Sequence, residues 1–146
     1  MAPSSNRLTK EREPGITSYP VYQSTTIYEG SMVALNSSGY LVPAADAAGN
    51  KVVGKADEMV DNASGASGAK YCRVKSGRQF LFAATSITQA MVGKAMYVVD
   101  DETFDDVGGT NYIKAGKLTE YVSATSGWIQ IDGPQRAGST FDNTLI

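Results

Sequence analysis

Ser31-Met32-Val33-Ala34-Leu35-Asn36-Ser37-Ser38-Gly39-Tyr40-Leu41-Val42 reads as two strand-forming runs around a turn. Asn36, Ser37 and Ser38 favour turns, and Gly39 is free to take a positive φ, so the stretch predicts a β-hairpin. The same texture continues on the C-terminal side. Short runs rich in Val, Ile, Tyr and Thr recur at residues 51–58, 69–75, 79–83, 95–99, 112–115, 117–122 and 128–131. Turn residues separate them. Ser76-Gly77-Arg78 is the turn between the runs at residues 69–75 and 79–83, and residues 61–68 (Asp-Asn-Ala-Ser-Gly-Ala-Ser-Gly) offer nothing to pack and read as a loop. Residues 87–93 are expected to form one helical turn capped by Thr85 or Ser86.

Composition agrees with that pattern. The chain has 146 residues, 15 of them glycine, and length and composition together predict one all-β domain. An internal echo joins residues 53–60 to residues 115–122, since both carry Gly-Lys-x-x-Glu-x-Val. Related strand–turn units in two halves suit a sandwich or barrel, although two short matches also arise by chance.

The first twenty residues differ in kind. They are polar, contain Pro3, Pro14 and Pro20, and mix Arg7, Lys10 and Arg12 with Glu11 and Glu13. Such a segment buries too little apolar surface to offset its ordering entropy, so residues 1–20 are expected to be a flexible arm. Residues 21–132 are expected to form the β domain, and residues 133–146 a tail ending on Phe141, Leu145 and Ile146.

Charge and residue inventory narrow the function. A net charge of −2 with no basic stripe argues against nucleic acid as a partner. No apolar run is long enough to span a bilayer, and the N-terminus lacks the apolar stretch of a signal peptide, so no membrane association is expected. Histidine is absent and Cys72 is the lone cysteine. Those two facts remove serine and cysteine triads, imidazole bases, zinc sites and intrachain disulfides. Cys72 is expected as a small buried hydrophobe.

The turn holding Asp100, Asp101, Glu102, Asp105 and Asp106 does not match the spacing of a calcium loop, and adjacent acids on a turn more often act as solvated punctuation. A histidine-free hydrolase working through those carboxylates is the least favoured reading. No catalytic residue, metal or cofactor is expected. Trp128 alternates with Ile129 and is expected in the core or at its edge rather than as a sugar-stacking platform. Tyr19, Tyr22 and Tyr28 suit protein interfaces.

The succession of an arm, the hairpin at residues 30–44, Val53-Gly54-Lys55-Ala56-Asp57, a Gly-rich loop, Val74–Phe80, Met91–Asp100 and Gly127-Trp128-Ile129-Gln130-Ile131 resembles the capsid decoration, or cement, proteins of tailed phages. The resemblance runs over residues 28–132 and rests on strand-and-turn texture, with no capsid-contact motif matched. It implies a small β-sandwich or β-tulip barrel of short antiparallel strands. It also implies a non-enzymatic virion protein, synthesised in the host cytoplasm, that binds the major capsid protein on the outer surface of the expanded head as a homotrimer. The expected contacts are Arg7, Leu8, Lys10, Arg12, Pro14, Ile16 and Tyr19 in the arm, with Tyr22, Tyr28, Phe141, Leu145 and Ile146 as further surface or oligomer contacts. The competing reading is a carbohydrate- or surface-binding β module of a phage appendage or head fibre, working through Trp128 and exposed tyrosines.

Overall fold

In the computed structural model, which describes residues 4–134, the chain is nearly all β. The strands are β1 (Ile16–Pro20), β2 (Thr25–Ile27), β3 (Met32–Leu35), β4 (Leu41–Pro43), β5 (Lys51–Ala56) and β6 (Val60–Asn62). They continue with β7 (Tyr71–Lys75), β8 (Arg78–Ala84), β9 (Ala95–Val98), β10 (Thr103–Asp105), β11 (Lys114–Ser123) and β12 (Ser126–Ile131). A 3-10 turn, Gln89–Met91, separates β8 from β9.

The strands sort into three groups. A five-stranded antiparallel sheet has the order β1-β7-β5-β3-β4. A closed barrel runs β10-β8-β12-β11-β9, with β10 and β8 parallel and the other pairs antiparallel. A ribbon, β2-β6, completes the set. Val21, just past β1, bridges Leu41 of β4, and Tyr22 N–H donates to the Leu41 carbonyl at 3.0 Å. The sheet is thereby rolled, and its two outer strands are tied together.

The expected hairpin is β3–β4, and β3 with β5 forms a wall between two cores. Met32, Ala34 and Val52 join Phe80, Phe82, Met96, Phe104, Leu118, Ile129 and Ile131 in the barrel core. Val33 and Val53, from the same two strands, join Val21, Ile27, Leu41, Val60, Cys72 and Val74 in a second core. A strand buried on both faces shows no polar alternation, which is why Met32-Val33-Ala34 is a continuous apolar run.

A β-bulge makes the double use work. Val33 pairs with Gly54 and Ala34 with Val52, so Val53 is an extra residue on β5. Gly54 has φ +151, and a Cβ there would strike the Lys75 carbonyl oxygen of β7. Gly116, its partner in the sequence echo, is also forced: a Cβ would strike the Gln130 carbonyl oxygen of β12, next to a register shift between Lys114 and Gly116. The repeated Gly-Lys therefore marks two places where a neighbouring strand approaches too closely for a side chain.

Several expectations are corrected. Residues 69–75 and 79–83 supply β7 and β8, but these do not pair with each other. Ser76-Gly77 carries the chain from the sheet to the barrel. Val60–Asn62, assigned in part to a loop, is a strand because β2 is there to pair with it. The runs at residues 112–115 and 117–122 merge into the single long strand β11. The 3-10 turn has Thr88 at its N-cap and no side-chain cap, so neither Thr85 nor Ser86 caps it. Ile16–Pro20, the last five residues of the expected arm, are β1. Once β7 offers its edge, main-chain pairing outweighs the poor local burial of that segment.

Cys72 is buried as expected, with its thiol donating to the Glu58 carbonyl 3.6 Å away. Burial, reinforced by the Glu58 carboxylate, pushes the thiol from its ordinary 9.0 up to about 11. The folded state thus holds its proton where the unfolded state loses it, and stability should fall as pH rises from about 9 to about 11. In alkylation at pH 8, native protein should react at least ~10-fold more slowly than urea-unfolded protein. Equal rates would contradict the buried thiol. Gly54→Ala should lower the unfolding free energy by about 2–4 kcal/mol in urea titrations. Gly39→Ala, in the hairpin turn with φ +86 and open space around it, should cost only about 1–2 kcal/mol.

Candidate functional site

Two chain ends meet at the Ser76-Gly77 crossover. Ser76 N–H donates to the Gly15 carbonyl at 2.8 Å, and Gly77 N–H donates to the Ile131 carbonyl at 2.6 Å. Adjacent amides of one tight link therefore hold the residue that leads into β1 and the residue that ends β12. Gly15 takes φ +120 at this junction, a conformation that favours glycine. The N-terminal and C-terminal segments leave the body at one corner.

Residues 4–14 belong to no strand or helix, and all of them are exposed. Leu8 is 97% exposed, a large apolar side chain left uncovered by the other described residues. Among the described residues, no ion pair involves Arg7, Lys10 or Arg12. Pro14 precedes the Gly15 junction. Arg7, Leu8, Lys10, Arg12 and Pro14 are thus brought into one exposed extension.

Ile16 and Tyr19 are not. Tyr19 packs against the second core, so it anchors the fold rather than an arm. Ile16, 46% exposed, lies opposite Lys75 on the outward face of β1 and β7. That face continues with Ser18 opposite Arg73 and Pro20 opposite Tyr71. Asp57 pairs with Lys75 at 3.3 Å and Arg73 at 3.7 Å, and Glu58 pairs with Arg73 at 3.4 Å. Burial works to raise the Asp57 pKa. The hydrogen bond from Lys75 and the charges of Lys75, Arg73 and Lys55 outweigh it and leave the carboxyl below its ordinary value. The surface beside β1 is therefore charged but internally paired.

The other expected contacts are scattered. Tyr22 is half-buried against Tyr40, with ring centroids 6.4 Å apart. Tyr28 is 62% exposed and lines a shallow depression with Glu29, Ser31, Asp101 and Glu102. Phe141, Leu145 and Ile146 lie outside the described residues. Trp128 is in neither core. It stands half-buried on the outer wall of the barrel, between Leu81 of β8 and Glu120 of β11. Strand alternation decides this: Gly127, Ile129 and Ile131 take the inward positions of β12, which leaves the indole outside.

The acidic turn is built from local acceptors. Asp100 Oδ1 accepts from Glu102 N–H at 2.9 Å, and Asp105 Oδ1 accepts from Val107 and Gly108 N–H at 3.2 and 3.3 Å. Asp106 pairs with Lys94 at 3.4 Å. Asp46, which the sequence did not single out, is a stronger organiser. Its carboxylate accepts from Thr110 and Asn111 N–H at 2.9 and 3.0 Å, and its own carbonyl accepts from Asn111 Nδ2 at 3.1 Å. Those partners lie more than sixty positions away, so no local signal reveals them. Gly15, Ser76 and Gly77 carried a signal, as turn residues, but nothing in sequence said that they meet.

Among the described residues, no group of three or more Cys, Asp or Glu is placed to hold a metal ion, and no helix is long and apolar enough to cross a membrane. Among the described residues, the extension presents main chain, the exposed Leu8 and the cations Arg7, Lys10 and Arg12. No family model matches the chain, and no curated protein matches it.

Proposed function

We propose that the chain is a non-enzymatic virion structural protein that binds the outer surface of an expanded phage capsid lattice and stabilises it. The observation that carries this reading is the exposed extension at residues 4–14, anchored through Gly15 and β1 to a body with two buried cores. A folded body with a tethered, proline-containing extension is suited to reach a neighbour and add to an exposed sheet edge. Main-chain hydrogen bonds supply affinity in that mode, and a side chain such as Leu8 supplies the anchor. Arg7, Lys10 and Arg12 add rim contacts of about 0–1 kcal/mol each. Several extensions per homotrimer multiply a weak contact, because the second binding event becomes intramolecular.

A second reading has one observation in its favour. Trp128 stands on the outer barrel wall beside Leu81, which is 50% exposed, as a sugar-stacking surface in an appendage module would require. Glycan-dependent change in Trp128 fluorescence supports that module. Fluorescence indifferent to glycans, with binding to heads, supports the capsid reading.

The decisive truncation removes residues 1–13 and stops there, because removing residues 1–20 would delete β1 and its five pairs with β7. The shortened chain should keep its circular dichroism and melting profile. In co-sedimentation it should bind expanded heads of the phage that encodes it at least ~10-fold more weakly than the full chain, while neither form binds unexpanded heads. Equal binding by the two forms would move the contact onto the folded body and contradict the role of the extension.

A further inference from the structure

Charges in the extension alternate in sign along the chain: Lys10, Glu11, Arg12, Glu13. Conformation decides what that order presents to a partner. In a helix, Arg7 and Glu11 stand four residues apart and Lys10 and Glu13 three apart, so the charges would pair with one another. In an extended chain, successive side chains point to opposite sides. Leu8, Lys10 and Arg12 then form one ridge, and Arg7, Thr9, Glu11 and Glu13 form the other.

The structure takes the second course. Residues 6–13 are in neither helix nor turn. Among the described residues, no ion pair joins Arg7 to Glu11 or Lys10 to Glu13. Pro14 holds Glu13 to extended conformations and stops any helix there. A helix confined to residues 7–12 would be too short to persist without packing. Residues 4–14 are all exposed, so no described residue covers either ridge.

Leu8 sets which ridge meets a partner. It is the one large apolar side chain of residues 4–14, and only burial against a partner takes its surface out of water. That burial turns Lys10 and Arg12 to the same partner and leaves Glu11 and Glu13 on the far side. A further cation stands at the root of the extension, where Arg78 Nη2 lies 4.0 Å from the place a Cβ would occupy on Gly15.

We propose that the extension recognises, through Leu8, Lys10 and Arg12, a strand edge bordered first by an apolar hollow and then by carboxylates, with Glu11 and Glu13 left in solvent. The proposal rests on the decoration reading and names the chemistry that its lattice site must have. Hollow and carboxylates follow one another along the edge at about 7 Å, the repeat of two residues in a strand. Arg12 suits a carboxylate held by two parallel hydrogen bonds, and Lys10 a single charge contact.

Co-sedimentation with expanded heads tests it, using the full chain, the chain lacking residues 1–13, and three variants: Leu8→Ala, Lys10→Glu with Arg12→Glu, and Glu11→Lys with Glu13→Lys. All should share one melting profile. Leu8→Ala and the reversal of Lys10 and Arg12 should each weaken binding at least ~10-fold, and the reversal should also flatten its dependence on salt. Reversal of Glu11 and Glu13 should leave affinity within ~3-fold. If the deletion weakens binding but the two reversals count equally, or neither counts, the ridge assignment is overturned and the decoration reading survives. A Leu8→Ala chain that binds like the full chain overturns the assignment as well. A deletion that binds as tightly as the full chain overturns both. Sedimentation velocity without heads supplies one more outcome: self-association lost on reversing Lys10 and Arg12 would give the ridge to a second copy and contradict the proposal.

Discussion

Val53 has no partner of its own on β3, and the bulge it creates lets one pair of strands serve two cores. Met32, Val33, Ala34 and Val52 are fully buried, and Val53 is 1% exposed. Each fully buried aliphatic side chain of this size contributes about 1.5–3 kcal/mol of transfer free energy. Val52 faces the barrel core and Val53 the second core, and beyond the bulge Ala56 again faces the second core, with Gly54 lying under the Lys75 carbonyl. Just past the bulge β5 pairs with β7 at Lys55 and Ala56, and elsewhere in the same sheet Val21 meets Leu41. The barrel core and the second core both draw side chains from that wall.

The legibility of the fold followed the same division. The β3–β4 hairpin was readable because its turn chemistry and its apolar runs agree, and both are local. The Gly-Lys echo was visible, and its physical content, two glycines under neighbouring carbonyls, needed the structure. Pairings that depend on distant chain were not readable. β7 and β8 look like a hairpin around Ser76-Gly77, but each finds a better partner elsewhere, β7 with β1 and β5, β8 with β12 and β10. Val60–Asn62 looks like the start of a loop until β2 is beside it. Trp128 was expected in the core or at its edge, yet Gly127, Ile129 and Ile131 take the inward positions of β12 and leave it half-buried on the outer wall.

The candidate site was legible in part for the same reason. The polar, proline-containing character of residues 4–14 marks them as an extension whatever the body looks like. The limit of that extension was misplaced by five residues, because β1 forms on the edge of β7 and not from its own burial. Tyr19 consequently belongs to the second core, and Ile16 to the outward face of β1 and β7. The meeting of Gly15, Ser76, Gly77 and Ile131 at one corner defines the candidate site, and it brings together residues more than fifty positions apart. It places Gly15, which leads into β1, beside Ile131, which ends β12.

Cryo-electron microscopy of expanded phage heads saturated with the full chain addresses the capsid reading most directly. The account predicts regularly spaced density on the outer surface, with the double-core body standing on the lattice and residues 4–14 continuing from the Gly15 corner into an adjacent subunit. A bare outer surface at saturation, or bodies seated by the Trp128 wall with the extension touching nothing, would contradict it.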